Sequence, residues 1–178
     1  IGGAAGFDIV EKSISDIHAG YFGGTLSAQQ VMQAYLDRIA AFDSKSGPSA
    51  NPINSVAQVS PTALADAAAV DALIASGATT AQYPMLGVPV LVKNSYDARG
   101  MVTTNGVSVL NGVGTTGSST FVPTQDAFSV QRLRDAGAII LGKASMSTMA
   151  YSYNGIDNAQ GVVLNPYQIQ RSPGGSSS

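Results

Sequence analysis

Residues 83–97 read YPMLGVPVLVKNSYD, and this stretch indicates the fold class. From Val88 to Val92 every residue is apolar, three of the five are β-branched valines, and no charge occurs before Lys93. A short continuous apolar run is typical of a strand that is buried on both faces, as in a parallel sheet covered by helices. The stretch therefore predicts a buried strand with Lys93 at its carboxyl end.

The flanking sequence alternates between helical and strand patterns. Apolar residues recur at helical spacing behind Ser27, which predicts a helix there. The alanine-rich stretch 60–77 is predicted to be a second helix, because it has a proline in its first turn and a glycine at its end. The stretch 126–137 is predicted to be a capped helix closed by glycine, and 138–143 to be a second buried strand. With INSVAQV (53–59) as a short strand, the pattern predicts an α/β fold with a mostly parallel, mixed β-sheet covered by helices on both faces.

The polar residues expected to carry function follow the first buried strand. Ligands of α/β proteins gather at the carboxyl ends of parallel strands, where Lys93 is expected to lie. Residues 98–125 are rich in Gly, Thr, Ser and Asn, and a long ordered loop inside a domain is usually functional.

The composition excludes several classes of function. The absence of cysteine rules out thiolate nucleophiles and cysteine zinc sites, and the single histidine, His18, is interpreted as an exposed helix residue outside any catalytic triad. We expect no metal and no cofactor. Only 11% of the residues are charged and the net charge is −2, so no nucleic-acid partner is expected. No apolar run is long enough to span a membrane, which leaves a small molecule or a protein as the expected partner.

The cellular location is only weakly indicated. The chain begins at Ile1 instead of a methionine, and it is rich in small residues with few lysines. Both features are compatible with signal-peptide removal, so a secreted or extracellular location is slightly favoured over a cytoplasmic one.

Three stretches together resemble the amidase signature family. They occur in the order and approximate spacing of that family, and the similarity runs from about residue 13 to the end: GVPVLVKNSYDARGMVTT (87–104), DAFSVQRLRDAGAIILGKASM (126–146) and NPYQIQRSPGGSSS (165–178). The resemblance implies that residues 1–178 are the N-terminal part of a single amidase signature core domain, completed by residues outside this chain. It also implies carboxylic amide hydrolysis by a Ser-cisSer-Lys triad.

The resemblance assigns roles to individual residues. Lys93 matches the catalytic lysine, and Ser176 matches the bridging serine, whose preceding peptide bond is cis in the family. Gly175 and Ser177 are expected to bind substrate. Ser152 has a spacing to Ser176 similar to that of a polar pocket residue in some members, although a serine in YSYNG is also typical of a turn.

The chemistry of the reaction explains the need for these residue types. A serine hydroxyl is a weak nucleophile unless a neighbouring group removes its proton, and without histidine a lysine can do so only if burial keeps it neutral. Because a hydroxyl donates and accepts at once, Ser176 can relay a proton between the nucleophile and Lys93. Lys143 is interpreted as a solvated strand end, since the equivalent Gly-Lys of the family is not the triad lysine.

Two departures from the family pattern affect the interpretation. Asn94 stands where many members have an aspartate, so a negative charge next to Lys93 is absent. The family's nucleophile serine and its glycine-rich oxyanion turn come roughly two dozen residues after the bridging serine, outside this sequence.

The sequence is compatible with three explanations. A second polypeptide carrying the C-terminal part of the domain is the expected partner, with a small amide as substrate. The alternatives are one polypeptide that continues after Ser178, and a non-catalytic binding or inhibitory module derived from the fold. Peptide, aryl and fatty amides, and the glutamine of amidotransferases, all remain possible substrates.

Overall fold

The computed structural model describes residues 8–112 and 120–177 of the chain. Part of the predicted 98–125 loop, residues 113–119, therefore lies outside the described residues. The α-helices are α1 (Ile14–Phe22), α2 (Ala28–Arg38), α3 (Ala63–Ala75) and α4 (Phe128–Asp135). The strands are β1 (Val56–Val59), β2 (Pro89–Lys93), β3 (Ile139–Ala144), β4 (Ile156–Asp157) and β5 (Gly161–Val162). A π-helical turn, Ile39–Asp43, extends α2, and two short 3-10 turns span Ser108–Leu110 and Thr148–Ala150.

The first two helices begin where local sequence favours a helix start. At α2, the Ser27 hydroxyl accepts a bond from the Gln30 N–H, and the Gln30 side chain accepts one from the Ser27 N–H. Ser13 and Asp16 form the same reciprocal capping box at α1. Each box satisfies two N–H groups that have no partner within the helix.

The predicted cap of α4 is wrong. The helix begins after Ala127, and no side chain caps it. The Asp126 carboxylate instead accepts a 2.7 Å bond from the Arg99 N–H and lies 3.0 Å from Arg134 Nε. The predicted closing glycine is present, because Gly137 follows the helix with a φ of +92°.

The main sheet has three strands in the order β1-β3-β2. β2 pairs parallel to the central strand β3, and β1 pairs antiparallel to it, so the sheet is mixed. The short strands β4 and β5 form a separate antiparallel pair. The predicted α/β class with a mixed sheet is confirmed.

Helices cover both faces of the main sheet. Ile139 and Leu141 of β3 belong to a core that includes residues of α1, α2 and α3. Ile140 belongs to a second core together with Val92 of β2 and Val130 of α4. Because successive side chains of a strand point to opposite faces, these two cores lie on opposite sides of the sheet.

The predicted strand that ends at Lys93 is present, but it is less buried than its pattern indicates. Only Pro89–Lys93 form β2, and the preceding residues make turns that lead through Gly87 at a φ of +71°. β2 pairs with a neighbour on one side only among the described strands, and its Leu91 is 38% exposed. Burial on both faces is instead found in β3, where Ile139 to Lys143 are all buried.

His18 is a structural residue of α1 and is less exposed than predicted. Its side chain is half-buried, and Nε2 lies 2.9 Å from the carbonyl oxygen of Leu86. Within residues 8–112 and 120–177, none of the helices has the length and apolar character needed to cross a lipid bilayer.

Candidate active site

The end of β2 brings together the two residues that sequence reasoning placed at the centre of the site. Lys93 is the last residue of β2, and its Nζ donates a hydrogen bond to the Ser176 hydroxyl. Both side chains are half-buried. The contact joins a strand end to the terminal Gly-Ser loop across 83 residues of sequence. Their expected contact is therefore present.

Backbone contacts hold the Ser176 loop in place. The Gly175–Ser176 peptide bond is cis, as the family resemblance implied. The Ser147 N–H donates a 2.9 Å bond to the Ser176 carbonyl oxygen, and Met146 and Ser177 pair as an antiparallel bridge. The segment that follows β3 therefore positions the loop independently of the Ser176 side chain.

That following segment, residues 145–150, is itself firmly held. The buried Asp157 carboxylate accepts backbone bonds from Met146 at 3.3 Å, Ala159 at 2.8 Å and Gln160 at 2.9 Å. Hydrogen bonds to a buried carboxylate are among the stronger ones in proteins. Asp157 thereby joins the β4–β5 hairpin to the segment that contacts Ser176.

The backbone at the end of this segment adopts an uncommon conformation. Met149 and Ala150 have φ values of +54° and +56°, in the left-handed region that non-glycine residues rarely occupy. The Met149 N–H donates a 2.9 Å bond to the Asn105 carbonyl oxygen, which holds the turn. Uncommon backbone angles of this kind cluster at functional sites.

Gly175 is in a position where no side chain fits. A Cβ atom built there would lie 2.8 Å from the Ser152 carbonyl oxygen and 2.9 Å from Tyr153 Cα. Both neighbours are backbone atoms, so they cannot move aside by changing a rotamer. Gly175 therefore allows the 151–153 segment to approach the Ser176 loop closely.

Ser152 and Ser177, the other two residues predicted to bind substrate, are held by different contacts. The Ser152 hydroxyl donates a 2.6 Å bond to Asn154 Oδ1, as expected of a turn serine, and it is the Ser152 carbonyl that approaches Gly175. Ser177 is exposed next to Ser176, and its backbone forms the bridge to Met146. Substrate binding by Ser152, Gly175 and Ser177 stays a prediction.

The structure contradicts the interpretation of Lys143 as a solvated strand end. It is completely buried, and its Nζ donates to the Val102 carbonyl oxygen at 2.8 Å and to Thr103 Oγ1 at 2.6 Å. Burial lowers the pKa of Lys143 to about 8, although the nearby Asp97 carboxylate acts in the opposite direction. The reason is that the loop after β2 folds back over the end of β3, which the local sequence pattern does not show.

Sequence reasoning missed two residues of this region, Ser147 and Asp157. Ser147 is completely buried, and its hydroxyl has no hydrogen-bond partner within the part of the chain that the structure describes. No local pattern marks it. The Asp157 carboxylate accepts bonds from the N–H groups two and three residues ahead, as an aspartate in a turn usually does. Its position in the sequence IDNAQ could therefore have indicated a turn held by this side chain.

No metal-binding constellation is present among residues 8–112 and 120–177. These residues contain no cluster of three or more histidine, aspartate or glutamate side chains that could hold an ion.

A mixed α/β sheet with a lysine at a strand end, in contact with a serine of the Gly-Ser loop, agrees with the resemblance found in the sequence. Residues 30–178 match the family model of the Amidase family. The chain belongs to the Amidase family.

Two bacterial relatives illustrate the similarity in sequence. The glutamyl-tRNA(Gln) amidotransferase subunit of Acidothermus cellulolyticus that matches this chain is 36% identical over 170 residues, which are 96% of this chain and 30% of the relative. The corresponding protein of Geobacter sulfurreducens is 34% identical over 96% of this chain and 32% of its own length.

Solved structures show the same similarity in the fold. The native peptide amidase from Stenotrophomonas maltophilia superimposes with a TM-score of 0.81 at 34% identity, over 94% of this chain and 32% of that protein. An amidase family protein from Bacillus anthracis gives a TM-score of 0.79 at 28% identity, over 95% of this chain and 32% of the other. The chain thus spans about a third of the length of the relatives it matches.

Proposed function

We propose that this chain supplies the base and the bridging hydroxyl of a carboxylic amide hydrolase with a Ser-cisSer-Lys triad. The observation that carries the proposal is the hydrogen bond between Lys93 Nζ and the Ser176 hydroxyl. The nucleophile serine of the triad would come from residues outside this sequence. Residues 1–178 are then the N-terminal part of a single core domain.

In the proposed reaction, the nucleophile serine transfers its proton to Ser176 Oγ while Ser176 passes its own proton to a neutral Lys93 amine. The nucleophile oxygen bonds to the amide carbon, the C–N bond breaks, and the proton returns through Ser176 to the departing amine. Water then attacks the acyl-serine by the same relay, which releases the carboxylic acid and regenerates the free serine. Protons balance over each half-reaction.

The walls of the site are proposed to bind a small amide substrate. Gly175 and Ser177 flank the bridging serine, and the Ser152 carbonyl oxygen lies next to Gly175, so all three residues are close to Ser176. The relatives include a peptide amidase and glutamyl-tRNA(Gln) amidotransferase proteins, and we leave peptide amides and glutamine as the two substrate groups to test first.

We further propose that a second polypeptide, or a further part of the same one, completes the domain. Large aromatic side chains stand open to solvent in the described part of the chain: Phe128 is 82% exposed, Tyr167 92% and Tyr151 93%. Aromatic side chains of this size are usually covered in a complete domain. An obligate interface of this kind should bury more than about 2,000 Å².

Two measurements test the proposed function. Intact-mass analysis of the purified protein shows whether a longer chain or a second associated polypeptide supplies the missing part. In the complete protein, Lys93→Ala should lower kcat/KM for amide hydrolysis by about 10²–10⁴-fold, because the proton acceptor is lost. Lys12→Ala, which changes an exposed lysine near the N-terminus, serves as the matched control.

Activity of Lys93→Ala within about tenfold of wild type would show that the base is misassigned. If the complete wild-type protein hydrolyses none of the amides tested but binds one of them, the non-catalytic binding module is the better interpretation.

A further inference from the structure

Lys143 is a second lysine near the site that the proposed reaction does not use. Its side chain is completely buried at the end of the central strand β3. An ammonium group out of contact with water is costly unless hydrogen-bond acceptors surround it. Here the acceptors are the Val102 carbonyl and the Thr103 hydroxyl, so a single loop segment receives both described bonds.

The same loop segment holds the residue that follows Lys93. Asn94 Nδ2 donates a 2.7 Å bond to Thr104 Oγ1, and the Asn105 N–H donates a 3.1 Å bond to the Asn94 carbonyl oxygen. The Asn94 N–H in turn donates a 3.1 Å bond to the carbonyl oxygen of Ala144, the residue after Lys143. Asn94 is only 1% exposed, so its backbone and side chain are both held between the loop and β3.

A third contact holds the same loop from the neighbouring strand β1. The Val102 N–H donates a 2.9 Å bond to Gln58 Oε1 on β1, while the Val102 carbonyl accepts from Lys143. The backbone N–H and C=O of Val102 are therefore both bonded to side chains of the sheet. The loop position depends on β1 and β3 together.

We propose that Lys143 is a positioning residue for Lys93. Its ammonium group fixes residues 102–105, these residues fix Asn94, and Asn94 sets the backbone from which the Lys93 side chain reaches Ser176. This inference rests on the proposed role of Lys93 as the base. Lys143 itself does not touch the reacting atoms, and Ser176 has its described side-chain bond with Lys93.

The test compares kcat and KM of the complete protein with those of three variants, each normalised to the folded fraction measured by circular dichroism. Lys143→Met keeps the length of the side chain but removes the donors, Thr103→Val removes one acceptor, and Thr104→Val removes the bond to Asn94. Lys45→Met is the matched control, because Lys45 also donates to a backbone carbonyl, that of Gln160, but from an exposed position.

The positioning role predicts a lower kcat with an unchanged KM. A displacement of about 1 Å at a catalytic group lowers the rate by about 10²-fold, so we expect Lys143→Met to lower kcat by at least about tenfold, with KM within about twofold of wild type. Thr103→Val and Thr104→Val should also lower kcat, whereas Lys45→Met should leave kcat unchanged. Combining Lys143→Met with Thr104→Val should lower kcat by less than the product of the single effects, because both act through Asn94.

A purely structural role predicts a lower melting temperature and a normal kcat in the folded fraction. The proposal is overturned if kcat of folded Lys143→Met and Thr103→Val stays within about twofold of wild type. If Lys143→Met does not fold, Thr103→Val and Thr104→Val decide the matter by the same criterion. The two proposals fail separately: an active Lys93→Ala removes the proposed base, whereas an inactive Lys93→Ala with a fully active Lys143→Met removes only the positioning role.

Discussion

The backbone N–H of Ser147 donates a 2.9 Å hydrogen bond to the carbonyl oxygen of Ser176. The adjacent residues Met146 and Ser177 pair as an antiparallel bridge, so the bond is part of a short region where the chain after β3 runs beside the terminal loop. The position of Ser176 is therefore set by main-chain contacts. Changing its side chain should test the chemistry of the site more than its folding.

Ser176→Ala should lower kcat for amide hydrolysis by about 10²–10⁴-fold, because the proton relay between nucleophile and Lys93 loses its hydroxyl. The melting temperature should change little, since the backbone bonds of Ser176 remain. Steady-state kinetics of the complete protein and thermal unfolding check both points. Ser177→Ala is the neighbouring comparison, and we expect it to change KM more than kcat. Equal losses of kcat in the two variants would contradict the bridging role.

Gly175→Ala should displace the Ser176 loop, since the new Cβ would meet backbone atoms of Ser152 and Tyr153 at 2.8 and 2.9 Å. Overpacking of this kind typically destabilises a protein by about 1–3 kcal/mol. We also expect kcat per folded molecule to fall. Gly77→Ala is the control. It places an alanine at a φ of +92°, which strains the backbone, but the position after α3 is open and the new Cβ meets no other atom within 4 Å. Thermal unfolding and kinetics should show lower stability in both variants but lower kcat only in Gly175→Ala.

The stability of the protein should rise with pH between about pH 8 and pH 10. Burial lowers the pKa of Lys143 from 10.5 to about 8, so above pH 8 the folded state binds fewer protons than the unfolded state. The free energy of unfolding then increases with pH. Burial raises the pKa values of Tyr21 and Tyr35 above 10, which reverses the slope at higher pH. Urea unfolding from pH 7 to pH 10 should show this rise in wild type and not in Lys143→Met. Parallel curves for the two proteins would exclude Lys143 as the source.

Arg134→Ala should destabilise the protein by about 3 kcal/mol, because it leaves the Asp126 carboxylate buried without its cation. Arg134 Nε lies 3.0 Å from Asp126 Oδ2, and the Asp126 side chain is only 1% exposed. Asp66→Asn removes the second, more exposed partner of Arg134, at 3.3 Å, and should cost less than about 1 kcal/mol. Denaturant unfolding of both variants measures the difference, and similar losses would contradict the assignment of Asp126 as the principal partner.

Much of the fold follows from patterns that act over a few residues. The periodicity behind Ser27 predicts α2, the apolar run before Lys93 predicts β2, and glycine after residue 136 predicts the end of α4. Such signals are reliable because helix caps, β-branched residues and glycine restrict the backbone locally. The contact between Lys93 and Ser176 was predictable for a different reason, namely that three separate stretches match one family in order and spacing.

The environment of individual side chains depends on where distant segments pass, and there the local pattern was insufficient. Lys143 has the sequence context of a solvated strand end, yet residues 102 and 103 fold over it and supply its hydrogen-bond acceptors. Leu91 has the context of a strand buried on both faces, yet β2 has a paired neighbour on one side only among the described strands. Burial and strand order are set by contacts between residues far apart in the chain, and no short stretch of sequence contains both partners of such a contact.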